Sequence, residues 1–182
     1  MKTITQEKLS KTMSHALRHA PEVYSLTLTD EGFVPVKTLA QQLSTHFKQK
    51  ITTESILAVT EADSKQRFTV KGSNIRAAQG HSFPVRLGLV PMTPPEVLYH
   101  GTVTQFVTPI MEKGLIPGGR QLVHMSAEYS TAMTVGSRRG KPVILTINTV
   151  AAVAAGVEFF QSENNVWLAH AVPPQFITSV NY

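Results

Sequence analysis

Arginine and histidine are the side chains of this 182-residue chain with most to offer chemistry, because the chain holds no cysteine. Thiolate metal sites, disulfides and cysteine nucleophiles are therefore excluded. Arg18-His19 stand together, as do Arg138-Arg139. The stretch Ser64–Ser82, SKQRFTVKGSNIRAAQGHS, carries Lys65, Arg67, Lys71, Arg76 and His81. No acid occurs from Ser64 to Pro95, an interval that also contains Arg86. Surfaces normally mix both signs, so a one-sign stretch with polar tips such as Gln79 and Ser82 points to an anion site. An exposed edge hairpin defended by cations is the alternative. His100-Gly101-Thr102 and His124-x-Ser126 are polar groups that could cradle a ligand. Each is weak alone, since His-Gly is a common turn and Ser126 could simply cap a helix.

These residues need elements to place them. Leu9, Met13, Ala16 and Leu17 form an apolar stripe that predicts a first helix from about Thr5 to His19, stopped by Pro21. Arg18 and His19 then fall in its last turn, where the helix dipole also favours cations. His15 and His19 share i, i+4 spacing, but no third ligand supports zinc. Leu26 and Leu28 alternate with threonines as a short strand. A second helix carries Val36, Leu39, Leu43 and Phe47, and a third begins at Thr52 or Thr53. RFTV, KGSN and IRAA read as strand, turn and strand, with Arg67 and Thr69 opposite Phe68 and Val70. Three helices followed by a two-stranded wing is the order of a winged-helix domain. Four prolines and a glycine in FPVRLGLVPMTPP place a linker at 83–95.

Beyond it, Val97–Tyr99 is a predicted strand delivering His100-Gly101-Thr102 at its end. Phe106–Lys113 reads as a helix, Leu122–Met125 as a strand, and Ser126 as the cap of a helix ending near Arg138-Arg139. Val143–Ile147, Phe159-Phe160, Val166–Leu168 and Phe176-Ile177 read as further strands. Strands without regular helical crossovers predict an α+β lobe with a curved or split sheet. There is no GxGxxG after a first strand, no GxxxxGK[ST] and no HExxH, and Gly118-Gly119 is an isolated pair.

Charge divides the same way. Residues 1–95 hold 12 Lys/Arg and 7 Asp/Glu, and residues 96–182 hold five of each, so the net +5 lies in the first half. A basic half joined to a neutral half suggests one lobe for a polyanion and another for a different task. Hydrophobic content of 42% and charged content of 16% fit a folded domain. The N-terminus lacks an apolar signal core and no apolar run would span a bilayer, so a cytoplasmic protein without membrane partners is expected. A monomer is expected, because no long apolar stripe is left unassigned.

LRHAP (17–21), KQRF (65–68), IRAAQGHS (75–82), LYHGT (98–102), VHMS (123–126), GSRRGKPVIL (136–145) and NNVWL (164–168) occur in one order. By these motifs, across essentially its whole length, the chain resembles the NAD-dependent RNA 2′-phosphotransferase family, best known as tRNA 2′-phosphotransferase. The resemblance implies a winged-helix-like lobe (1–82) and an ADP-ribosyltransferase-like NAD-binding lobe (96–182). It implies transfer of an internal RNA 2′-phosphate to NAD through ADP-ribosylated RNA, as in tRNA splicing, without a metal. The products are nicotinamide, 2′-hydroxyl RNA and ADP-ribose 1″,2″-cyclic phosphate. Arg18, His19, Arg67 and Arg138 match the catalytic set, with His19 as acid/base and Arg139 as the neighbour of Arg138. His100, Gly101, Thr102, His124 and Ser126 match NAD-binding motifs. Arg76, Gln79, Gly80, His81 and Ser82 match a segment near the nucleotide or phosphate. Asn164 stands where many ADP-ribosyltransferases place a catalytic glutamate. The alternatives are an ADP-ribosyltransferase of nucleic-acid phosphate ends and a non-catalytic RNA-binding module.

Overall fold

A computed structural model describes residues 4–182, which divide into two compact units with the boundary between Gly88 and Leu89. The division falls after Gly88, within the expected linker. Arg86 belongs to the first unit through its ion pair with Asp30 (2.9 Å). Met92 belongs to the second, where its N–H donates to the Phe159 carbonyl. Among the described residues no helix is long and apolar enough to cross a membrane.

In the N-terminal unit, helix α1 spans Gln6–Arg18, capped by Thr5, whose hydroxyl accepts from the Lys8 N–H. Its stripe of Leu9, Met13, Ala16 and Leu17 is buried. A short 3-10 turn, Pro21–Tyr24, follows. The expected strand at Leu26–Leu28 is not formed: Leu26 N–H bonds back to Pro21 and Thr29 N–H to Phe33, so the segment closes on itself as a loop. The strand is instead β1, Val34–Pro35. Helices α2 (Val36–Phe47) and α3 (Thr53–Glu61, capped by Thr52) follow their periodicity. The hairpin is β2 (Phe68–Lys71) and β3 (Asn74–Ala77). It does not stand as a two-stranded wing, because β1 pairs with the other side of β3 and gives the antiparallel order β1-β3-β2. As the middle strand, β3 buries Ile75, Arg76 and Ala77 in succession. Leu17, Leu39, Leu43, Ile56, Phe68 and Ile75 share the core.

The C-terminal unit contains two three-stranded antiparallel sheets, so split is the correct description of its strands. One, in the order β4-β6-β9, uses β4 (Val97–Val103), β6 (Pro142–Asn148) and β9 (Ile177–Asn181). The other, in the order β5-β8-β7, uses β5 (Val123–Met125), β7 (Phe159–Gln161) and β8 (Trp167–Ala169). A two-way backbone bridge between Tyr99 and Ser126 joins them (2.8 and 2.9 Å). His100-Gly101-Thr102 lie within β4, not beyond its end as expected. Helix α4 runs Thr104–Lys113, α5 Tyr129–Gly136 and α6 Thr149–Ala154. Ser126 does not cap α5; the N-cap is Glu128, whose N–H donates to the Ser126 hydroxyl (3.0 Å). Leu98, Leu145, Phe159, Trp167 and Ile177 form the main core.

Candidate active site

Three segments of the N-terminal unit converge on one polar cluster. The C-terminus of α1 brings Arg18 and His19, the loop before β2 brings Arg67, and the segment after β3 brings Gly80, His81 and Ser82. Arg18 Nη2 donates to the Arg67 carbonyl (3.3 Å). Gly80 has φ +90°, a conformation side chains rarely adopt, and a Cβ there would stand beside the Arg18 side chain. Ser82 N–H donates to the Arg18 carbonyl (2.9 Å), and Ser82 Oγ lies 3.2 Å from that carbonyl and 3.3 Å from His19 Nδ1. Arg67 is anchored by Asp63, near the start of the loop between α3 and β2. Its carboxylate accepts from Arg67 Nη1 and from the Arg67 N–H (2.7 Å), and its side chain is only 5% exposed. The acid-free stretch thus takes its fixed counter-charge from the residue just before it.

His81 is 1% exposed, and neither ring nitrogen has a hydrogen-bond partner. Burial first, then the charges of Arg18, Arg76 and His19, push its pKa down to about 4. It is a neutral imidazole among cations. Arg76, expected near the phosphate, is buried in β3. Its Nη1 donates to the Glu31 carbonyl (3.1 Å) and its guanidinium lies over the Phe33 ring at 4.7 Å. Those contacts tie it to the fold. Gln79 is half-buried between them.

In the C-terminal unit the bridge between the sheets sets His100 beside β5. His100 Nδ1 bonds the His124 carbonyl and His124 Nδ1 bonds the Leu122 carbonyl, both at 2.9 Å. A carbonyl only accepts, so both rings carry a proton on Nδ1, and burial, which disfavours the charged ring, leaves His100 with a lone pair on Nε2. Burial holds the His100 pKa below its usual value, aided by the charges of Arg120 and Arg139 and opposed by the His124 carbonyl. Thr102 is buried. Gly101 serves packing within the unit: a Cβ there would strike the Ala132 carbonyl of α5. Asn164 accepts from the Ser162 hydroxyl (2.8 Å) in the β7–β8 turn, whose next residue, Asn165, has φ +60°. That turn role is one any strand connection could need.

Arg138 and Arg139 lie in an exposed 3-10 turn after α5. Arg120 is the residue that sequence reasoning missed. Packing around its guanidinium, then the charges of Arg139 and Arg138, hold its pKa below the usual range. The charges of Arg120 and Arg139 reach His100, and those of Arg138 and Arg139 reach Arg120, so the positive charge of this unit gathers beside the His100 ring. The available signal was Gly118-Gly119-Arg120 just before the strand that carries His124. Among the described residues, no group of three or more histidine or acidic side chains could hold a metal.

Clusters of arginine and imidazole of this kind suit proteins that handle phosphate-bearing substrates. Residues 5–171 match the RNA 2′-phosphotransferase, Tpt1 / KptA family. The chain belongs to that family. It is 47% identical to a probable RNA 2′-phosphotransferase of Acaryochloris marina over 174 residues, covering 94% of this chain and 96% of the relative. Similar proteins of the same description come from Acetivibrio thermocellus (44%, covering 97% and 98%) and Hahella chejuensis (44%, covering 93% and 91%).

Proposed function

We propose that the protein removes an internal 2′-phosphate from RNA by transferring it to NAD, with the N-terminal unit holding the phosphate and the C-terminal unit holding NAD. The observation that carries this reading is the cluster in which Arg18 bonds Arg67 and, through Ser82, is tied to the His19 ring. The N-terminal unit is read as winged-helix-like with an added strand, and the C-terminal unit as ADP-ribosyltransferase-like.

A 2′-phosphate beside a 3′,5′-diester is a dense anion. Arg18 and Arg67 hold it with charge-assisted hydrogen bonds that do not titrate near neutrality. One of its oxygens attacks the anomeric carbon of the nicotinamide ribose and nicotinamide leaves, giving ADP-ribosylated RNA. His19 takes the proton of the ribose 2″-hydroxyl as that oxygen attacks phosphorus, and returns it to the departing RNA 2′-oxygen. Charge building on the phosphoryl oxygens is met by preorganised guanidiniums. The C-terminal residues suit NAD: the Nε2 lone pair of His100 accepts from a hydroxyl or amide donor, His124 offers a second ring on the neighbouring strand, and Thr102 and Ser126 carry hydroxyls. Arg120 takes the role expected of Arg138, because it shares the His100 environment and has the perturbed guanidinium. Arg138 and Arg139 add to its field.

The test is an RNA with one internal 2′-phosphate, incubated with and without NAD, with both products followed by mass. NAD-dependent loss of the phosphate with formation of ADP-ribose cyclic phosphate is the expected result. Stable ADP-ribosylated RNA would mean transfer without the second step. No reaction with bound NAD would leave a binding module.

A further inference from the structure

Resting on that reading of His19, we propose that Ser82 is a positioning residue that fixes the proton of His19 on Nδ1 and turns the Nε2 lone pair to the reaction. The Arg18 carbonyl decides the direction of the chain. It lies 3.2 Å from Ser82 Oγ and can only accept, so the Ser82 hydroxyl proton is directed to it. Ser82 Oγ then meets His19 Nδ1 at 3.3 Å as an acceptor, which requires N–H at Nδ1. The reverse polarity, with Ser82 donating to an unprotonated Nδ1, would set two acceptor oxygens against each other. The Ser82 N–H bond to the same Arg18 carbonyl (2.9 Å) holds the serine backbone in register with the end of α1.

This arrangement suits a group that must take and return one proton. Nδ1–H is present in both neutral imidazole and imidazolium, so the bond to Ser82 survives proton transfer at Nε2 and nothing rotates during the step. A hydroxyl also fits where a carboxylate would not. The charged and titratable groups that meet His19 include His15, at 6.1 Å between ring centres, and His81, which in turn also feels the charges of Arg18 and Arg76. His15 in turn meets the Tyr24 hydroxyl at 3.1 Å. An acid at 82 would pair with Arg18 and withdraw it from phosphate.

Two measurements test the proposal. Nitrogen NMR of histidine-labelled protein, with the His19 signals assigned by loss in His19→Gln, reports the tautomer without any turnover. The wild type is expected to show protonated Nδ1 on neutral His19, and Ser82→Ala to lose that preference. In step-resolved kinetics, Ser82→Ala is expected to slow the second step roughly ten- to hundredfold, with ADP-ribosylated RNA accumulating. The acid limb of that step should move to lower pH, because imidazolium loses an acceptor; Ser82→Thr should restore both. A wild-type His19 protonated on Nε2 would overturn the proposal. So would an unchanged second step in Ser82→Ala. Absence of any transfer by the wild type would instead sink the functional reading, and the NMR result would still decide the tautomer.

Discussion

At the scale of single residues, Arg120 and Arg138 give opposed expectations. Both residues are exposed, but only the Arg120 guanidinium has its pKa held below the usual range, by desolvation and then by the charges of Arg139 and Arg138. Removing a preorganised cation from a reacting phosphate costs about 10²–10³-fold in kcat. Arg120→Ala is expected to lose that much in single-turnover transfer, and Arg138→Ala less than about tenfold. Equal losses would return the role to Arg138. His81 carries a prediction about stability. Its folded pKa of about 4 lies below the unfolded value of 6.5, so the unfolded chain binds the proton more tightly as pH falls. Stability is therefore fully present above the unfolded pKa and is lost as pH drops from about 6.5 toward 4, by roughly 2 kcal/mol between pH 7 and pH 5. Urea unfolding at the two pH values should show this loss, and His81→Gln should shrink it.

At the scale of elements, Gly101 and Asp63 show what a linear reading reaches. Glycine in HGT suggested close approach to a ligand, yet the structure sets α5 against it, with Gly136 completing the contact near the Thr102 carbonyl and Pro142. Gly101→Ala forces α5 away from β4. It is expected to cost about 2–3 kcal/mol, near the upper end for overpacking, seen as a fall in Tm of roughly 5–10 °C. Asp63 offers a milder case. Asp63→Asn keeps an acceptor but removes the charge that fixes Arg67, so transfer should fall while Tm drops only a few degrees; unchanged transfer would make the pair structural alone. The helices were legible because Leu9, Met13, Leu17 and their counterparts repeat with the helical period, and local turn chemistry marked the β2–β3 hairpin. β1 was not legible: two residues, one a proline, carry no period, and the pairing of Val34 with Ile75 spans much of the unit. Leu26–Thr29 shows the converse, an alternating pattern with no strand to pair with. Arg18, His19 and Arg67 could be named from motifs, but the partners that aim them, Asp63 and Ser82, emerge only when distant segments meet.

At the scale of the whole molecule, net charge separates the two units. Every net positive charge of the chain resides in the N-terminal unit, since residues 89–182 hold equal numbers of acids and bases. RNA binding there releases counterions, and affinity must fall as salt rises. Each phosphate neutralised on a single strand contributes about −0.7 to the slope of log K against log salt. If Arg18, Arg67 and one neighbouring cation each meet a phosphate charge, the slope is about −2. On the proposed reading NAD meets fewer cations than RNA does, so its slope should lie nearer −1 or less. Titrating 2′-phosphorylated RNA and NAD separately across a salt series measures both. Arg67→Ala should remove about 0.7 from the RNA slope and leave the NAD slope alone. A steeper salt dependence for NAD than for RNA would show that the anion-binding work lies with Arg120, Arg138 and Arg139, and would reverse the division of labour between the units.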